Sequence, residues 1–319
     1  MYLLNINMKL DLTKKYIDLE TVNKFIEYNS DFSTVKPISK PHLDVVFMSY
    51  NEKDADKHYD LLKKRIPSAK RINGVKGMLN AYNACREIAE TPYYFIVEGD
   101  SVICKDFNFS LPKEWIASIA TLTREELSHD YVRAKHCITW KSLNPVNGEL
   151  FHHSPIGLVF KSKNPYNWKN KINYSMPNNY NEDDTFNSNI TTGLSTDASV
   201  FRDCNSKFRL SNMASIDFFN SSPYDAWKAG FRVGTKLTNR ILNKLKIESS
   251  DFYEERLNHW ATVGYEQKNG KYCIEGVTFG IKCAKISDNW VEEYKNTGHN
   301  YDWLKETFER EYGTQYNTN

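Results

Sequence analysis

The chain has 319 residues, 40% of them hydrophobic and 14% aromatic, with a formal net charge of +2. That is enough apolar material for one large domain or two modest ones, and the balanced charge means that any nucleic-acid footprint must be local rather than spread over the chain. No apolar run approaches the ~20 residues of a membrane span. No secretory signal opens the chain and the six cysteines form no C-x-x-C pair. The expectation is a cytoplasmic protein with reduced thiols and no membrane partner.

In chain order, residues 1–40 read as a helical preface. Tyr16, Leu19, Val22, Phe25 and Ile26 recur at helical spacing, with Ile17 on the flank, and Pro37 and Pro41 close the segment. It is expected to pack outside the first strand. Leu43 to Met48 reads as that buried strand, followed by the polar loop Ser49-Tyr50-Asn51-Glu52. A helix from about Asp54 to Arg65 follows, stopped by Pro67. Ala69 to Ile72 is a second short strand. Asn73-Gly74 turns the chain, and Lys76-Gly77 opens a helix with the apolar stripe Met78, Tyr82, Cys85 and Ala89. After Thr91-Pro92 comes a third strand, Tyr94 to Val97, which is β-branched and aromatic. It delivers Glu98 and Asp100 at its carboxyl end, separated only by Gly99, with Val102 and Ile103 next. Strand, helix, strand, helix, strand predicts a Rossmann-type, mostly parallel α/β sheet over residues 41–130, with ligands at its carboxyl edge.

Residues 131–319 read as a helical and mixed second half of the same globular unit. Tyr131 to Trp140 and Gly157 to Lys161 are expected strands, with a long turn at Trp140–Gly148 and a polar turn at Phe151–Pro155. Residues 164–192, rich in Asn, Tyr, Pro and Lys, read as a loop over the site. Asp197 to Phe201 and Ala214 to Phe218 are short elements. A helix runs from Ser222 to about Lys246, although Gly230 and Gly234 weaken it. A second spans Asp251 to Trp260, Lys271–Ile274 and Val277–Ile281 read as strands, and the end from Asn289 is helical.

Two carboxylates at a strand end suit Mg²⁺ or Mn²⁺, which prefer few protein ligands completed by water and substrate phosphates. The plain alternative is a solvated turn, since Gly and Asp are common there. Three loops, Ser49–Glu52, Asn73–Gly77 and Glu98–Ser101, converge at the carboxyl edge. The second brings backbone amides and Lys76 to a helix amino end, where phosphate binds readily. A solvated lysine is the alternative there. Neither the Walker spacing nor G-x-G-x-x-G occurs, so a nucleotide diphosphate held by metal and helix end is the better fit.

The blocks D-V-V-F-x-S-Y-N-E (Asp44 to Glu52), A-K-R-x-x-G-V-K-G (Ala69 to Gly77) and Val97-Glu98-Gly99-Asp100 come first. W-x-x-x-N-P-x-N-G (Trp140 to Gly148) and F-N-x-x-P-Y-x-x-W (Phe219 to Trp227) follow, with Phe231-Arg232 and Lys236-Leu237 behind them. Together these blocks resemble glycosyltransferases of the GT-A fold, and more closely a group encoded by tailed phages. The resemblance implies a nucleotide-sugar donor, UDP-linked with glucose or arabinose, and a metal held by Glu98 and Asp100. It implies base and ribose contacts from Ser49, Tyr50, Asn51 and Glu52, and phosphate contacts from Gly74, Lys76 and Gly77. It also implies an acceptor such as 5-hydroxymethylcytosine in phage DNA. Three departures stand out: Glu98 replaces the first aspartate of the metal pair, Phe151-His152-His153-Ser154-Pro155 replaces a Tyr-Gly-rich turn, and Val233 stands at an often acidic position.

An inverting enzyme of this kind needs a carboxylate base for the acceptor hydroxyl. Asp197, in S-T-D-A-S, is preferred to Asp183, in N-E-D-D-T, with a surface or capping role the alternative for each. His152 and His153 could complete the metal shell, or be solvated. Lys228, Arg232, Lys236 and Arg240 fall one turn apart and form a stripe that can track DNA phosphates, or an ordinary solvated face. Two further readings are a nucleotidylyltransferase, whose glycine-rich basic signature is absent, and a non-catalytic nucleic-acid-binding protein, which leaves the acidic strand end without a purpose. A protein or glycan acceptor is the other option for a transferase.

Overall fold

The computed structural model describes residues 9–33, 35–39, 41–110, 136–161, 206–243, 250–287, 290–298 and 300–313. Its first half follows the expected alternation: β1 (Asp44–Ser49), α2 (Ala55–Arg65), β2 (Lys70–Asn73), α3 (Met78–Ile88) and β3 (Tyr93–Glu98), preceded by α1 (Leu19–Ser30). β1 pairs in parallel with both β2 and β3. Alternate residues cover both faces of these strands. Val45, Phe47, Phe95 and Val97 pack with Leu62 of α2 and Ile66 just after it, whereas Val46, Met48, Tyr94 and Ile96 pack with Tyr82 and Cys85 of α3. Burial on both faces explains why β1 and β3 read as continuous apolar runs.

Beyond β3 the sheet is mixed, not mostly parallel. β4 (Ser101–Ile103), β5 (His136–Leu143), β6 (Leu150–Phe160) and β7 (Ser206–Asp217) complete the order β2-β1-β3-β6-β5-β7-β4. β6 runs antiparallel to β3 and β5, β7 is parallel to β5, and β4 is antiparallel to β7. The order dictates a curl. β3 and β4 are four positions apart, about 19 Å in a flat sheet, but only Gly99 and Asp100 join them, a connection that spans at most about 11 Å. The far edge must therefore return to the end of β3. Phe95 and Val97 of β3 accordingly share one apolar cluster with Ile103 of β4 and Ala214 of β7.

Several expectations are corrected. The segment Phe151–Pro155 is not a turn but part of β6, and the turn before it is tight, at Asn144–Asn147. The preface helix α1 packs Val22 and Phe25 against Cys104, Leu143, Leu150 and Ile216 rather than against β1. The predicted strands at 271–274 and 277–281 are one helix, α6 (Gly270–Cys283). α6 packs against α4 (Pro223–Leu242), beside α5 (Ser250–Thr262), α7 (Trp290–Gly298) and α8 (Tyr301–Tyr312). The helical period of α6 is carried by Cys273, Gly276, Val277 and Gly280, all buried. Two of its four positions are glycine, so apolar counting misses it. The expected loop at 164–192 and the element at 197–201 lie outside the described residues.

The glycines that weakened α4 in the sequence are what let α6 approach. A Cβ on Gly230 would lie 2.0 Å from the Cys273 carbonyl oxygen, and one on Gly276 would lie 2.2 Å from that of Trp227. Gly276→Ala should therefore destabilise the protein by about 1–3 kcal/mol through overpacking, against the ~1 kcal/mol that alanine gains in an isolated helix. A melting temperature at or above wild type would show that the helices can part without loss. No helix among the described residues is long and apolar enough to cross a membrane.

Candidate functional site

At the carboxyl edge of β1 and β3 lies a cavity of about 380 Å³. One wall is the loop after β1. Ser49 is buried, and its hydroxyl is already engaged, donating to Asn73 Oδ1 (2.9 Å) and accepting from Arg71 Nε (3.1 Å). It fixes the loop rather than offering a free group. Glu52 folds back so that its Oε2 accepts from the Tyr50 amide at 2.8 Å. Burial, then the neighbouring Asp100, holds its carboxyl above the ordinary range. Gly99 makes this packing possible, since a Cβ there would lie 2.7 Å from Glu52 Oε2 and 2.8 Å from Ser49 Cβ.

Glu98 and Asp100 both face the cavity. The Tyr82 hydroxyl donates to Glu98 Oε1 at 3.2 Å. Burial raises the pKa of each carboxyl; Asp100 raises Glu98 further, while Lys228 and Arg232 pull Asp100 back towards its charged form. The Asn73–Gly77 loop places Lys76 and Gly77 on the rim, with Gly74 and Gly77 at φ +73° and +91°, backbone that glycine adopts without strain. Lys76 Nζ lies 3.5 Å from Asp302 Oδ2, both side chains about three-quarters exposed.

The opposite wall was not foreseen. It comes from α4 and α8: Tyr224, Asp225, Lys228, Arg232, Tyr301 and Asp302. Ser222 caps α4 and hydrogen-bonds Asp225 at 2.7 Å. Asp225 in turn holds Lys228 Nζ at 2.9 Å, with the Tyr224 and Tyr301 rings 5.1 and 5.7 Å from it. Burial opposes the charge on Lys228, but Asp225, Tyr224 and Tyr301 together outweigh it, and the net shift is upward, so the ammonium stays charged. The S-x-x-D capping pattern at Ser222–Asp225 was the available signal for this arrangement.

The four-residue basic stripe is thus divided. Lys228 and Arg232 line the cavity that Glu98 and Asp100 line. Lys236 and Arg240 do not, and all four are partly buried. Arg240 lies with its guanidinium 5.4 Å from the Tyr253 ring centre. Asp183 and Asp197 lie outside the described residues, and His152 and His153 lie on β6 with side chains that are likewise outside them. A carboxyl that the sequence reading passed over is Asp217 at the end of β7, whose neighbour Phe218 bonds the Asp100 backbone; burial and the charges of Asp100 and Glu98 push its pKa well above the ordinary range.

Among the described residues no three His, Cys, Asp or Glu side chains form a ready-made metal cage. The two carboxylates nevertheless suit an ion such as Mg²⁺, which keeps water and substrate phosphate as its other ligands. Asp100 retains a buried oxygen, Oδ1, with no hydrogen-bond partner. The site is a cavity with a carboxyl-rich floor, a cationic wall and a helix amino end at its rim. No family model matches the chain, and neither a curated protein nor a solved structure does.

Proposed function

We propose that the protein is a metal-dependent glycosyltransferase that takes a sugar from a nucleotide-sugar, UDP-linked, and passes it to a hydroxyl acceptor. The observation that carries this reading is the meeting of Glu98 and Asp100 with Lys228 and Arg232 across one cavity. Carboxylates alone would repel a diphosphate, and cations alone would not need buried acids beside them. Together they suit a diphosphate with its divalent ion. Held by Glu98 and Asp100, Mn²⁺ or Mg²⁺ would neutralise charge on the leaving diphosphate. Lys228 and Arg232 would take its remaining oxygens from the α4 side, and Lys76 with the α3 amino end from the rim. Tyr50, Asn51 and Glu52 would meet the base and ribose. Deprotonation of the acceptor hydroxyl is assigned to Asp197, with Asp183 the other candidate.

The acceptor proposed is 5-hydroxymethylcytosine in DNA. It rests on the sequence resemblance, because half of the basic stripe that suggested DNA contact belongs to the donor cavity. Transfer assays with hydroxymethylated DNA, proteins and simple glycans decide among acceptors. The donor reading is tested separately by thermal shift with UDP, UDP-glucose and UDP-arabinose, each with Mn²⁺ or chelator. Saturating ligand at 100 times Kd should add about 2.7 kcal/mol of stability. Absence of a shift with every nucleotide-sugar would overturn the proposal.

The two lysines should differ in weight. Lys228 is fixed by Asp225 and two rings, with its side chain 18% exposed, whereas Lys76 is 76% exposed. Lys228→Met should weaken donor binding by about 1.5–3 kcal/mol, the value of a hydrogen bond to a charged group. Lys76→Met should cost less, since an exposed charge is screened. Equal losses, or the reverse order in calorimetric titrations of UDP, would move the diphosphate towards the α3 rim.

A further inference from the structure

The amino end of α4 sets three polar side chains in a row beside the cavity. Ser222 caps the helix; its hydroxyl donates to Asp225 Oδ2 at 2.7 Å and accepts from the Asp225 amide at 3.0 Å. The other oxygen, Asp225 Oδ1, accepts from Lys228 Nζ at 2.9 Å. Both carboxylate oxygens are thus engaged, and the Asp225 and Lys228 side chains are largely buried. α8 completes the arrangement from a distant part of the chain. The Tyr224 hydroxyl donates to the Tyr301 carbonyl oxygen at 3.4 Å, and both rings lie beside Lys228 Nζ. An ammonium has three N–H donors. One goes to Asp225, which leaves two for a ligand in the cavity that Lys228 lines.

Two effects of the Asp225 carboxylate oppose each other. Its charge repels a diphosphate, but that charge is already neutralised by Lys228. Its hold fixes a flexible four-carbon side chain that would otherwise turn to Glu98 and Asp100, which line the same cavity. A lysine paired with those acids would be lost to the diphosphate and would occupy the oxygens proposed for the ion. We propose that Asp225 is a positioning residue of the donor site, holding Lys228 on the α4 wall so that its ammonium meets the diphosphate rather than the two carboxylates. The proposal rests on the nucleotide-sugar reading above and adds to it a residue that acts through Lys228.

Calorimetric titration of UDP with Mn²⁺ into wild type, Asp225→Ala, Lys228→Met and the double variant tests this without any assay of transfer. With Lys228 present, Asp225→Ala should weaken UDP binding about 2–10-fold, the worth of one long side chain ordered in advance. In Lys228→Met the same change should leave affinity unchanged or raise it, because the carboxylate there faces the diphosphate without its cation. This coupling is what a double-mutant cycle reads, and a merely structural role for Asp225 in the first turn of α4 would not produce it. Asp225→Asn, which retains a bonding partner for Ser222, takes the same cycle should Asp225→Ala fail to fold. Equal losses in both backgrounds would overturn the positioning role and leave the donor reading intact. Wild-type or tighter binding by Asp225→Ala would also overturn it, since repulsion would then outweigh ordering. If Lys228→Met binds UDP as wild type does, Lys228 leaves the donor site and this inference falls with it. If wild type binds no UDP, the nucleotide-sugar reading itself falls.

Discussion

Replacing Asp100 with asparagine should abolish sugar transfer and, in the same protein, make the cation-free fold harder to unfold. The loss follows from the proposed role. Charge stabilisation by a bound ion is worth several kcal/mol, so removing one of its two carboxylates should cost at least ~10³-fold in rate. The gain in stability follows from the raised pKa of Asp100, caused first by burial. Above the ordinary aspartate range the unfolded chain releases this proton while the folded chain retains it. The folded state then binds more protons, so the stability this group contributes declines as pH rises. Asparagine does not titrate. In chelator, the stability advantage of the variant over wild type should therefore widen as pH rises above the ordinary aspartate range. Denaturant titrations at several pH values read this directly. An advantage that shrinks with pH, or a variant that transfers sugar at the wild-type rate, would remove Asp100 from the proposed role. A site that is more stable without its functional group is the familiar opposition between stability and activity.

Truncating Glu149 to alanine should have the largest effect on folding, about 3–5 kcal/mol. Glu149 is 3% exposed. Its Oε1 accepts from Arg256 Nε at 2.6 Å, and its Oε2 accepts from Arg256 Nη2 at 3.2 Å and Trp260 Nε1 at 2.7 Å. Removing it takes from a guanidinium with 19% side-chain exposure its buried carboxylate partner, and breaking one side of a buried ion pair carries that cost. The residue also sits where three segments meet. Tyr16 bridges to Glu149, the Ile17 amide donates to the Gly148 carbonyl at 2.8 Å, and the Leu150 amide donates to the Lys15 carbonyl at 2.9 Å. A Cβ on Gly148, which has φ +76°, would lie 1.9 Å from the Ile17 carbonyl oxygen. The N-P-x-N-G block is thus a junction between α5, the turn before β6 and the amino-terminal segment, with Asn144 and Asn147 bonding their own turn. Glu149→Gln should fall between, keeping the Trp260 bond while losing the charge. Unfolding free energies within 1 kcal/mol of wild type for Glu149→Ala would mean that Arg256 reaches solvent instead.

What the sequence determined by itself was local. Apolar runs closed by Pro, Gly and polar residues located β1 and β3, because those strands are buried on both faces, while the helices were marked by one apolar face each and β2, an edge strand with no buried residue, by the turn signals around it. The same reading put Glu98 and Asp100 at a strand end and Lys76 at a helix amino end, since those placements depend on nearest neighbours along the chain. Everything that depends on distant pairing was decided by the tertiary structure. The mixed sheet follows from β6 adding antiparallel to β3, and its curl from a two-residue link between strands at positions three and seven of the order. Helix α6 was hidden because three of its five buried residues are glycine, whose value lies in a backbone approach that only the partner helix reveals. Lys228 and Arg232 looked like part of an outward basic stripe, because spacing gives the face of a helix but not what that face meets. Asp217 carried no motif at all. It became a neighbour of Asp100 only when β7 paired with β4 and brought together two acids 117 residues apart in the chain.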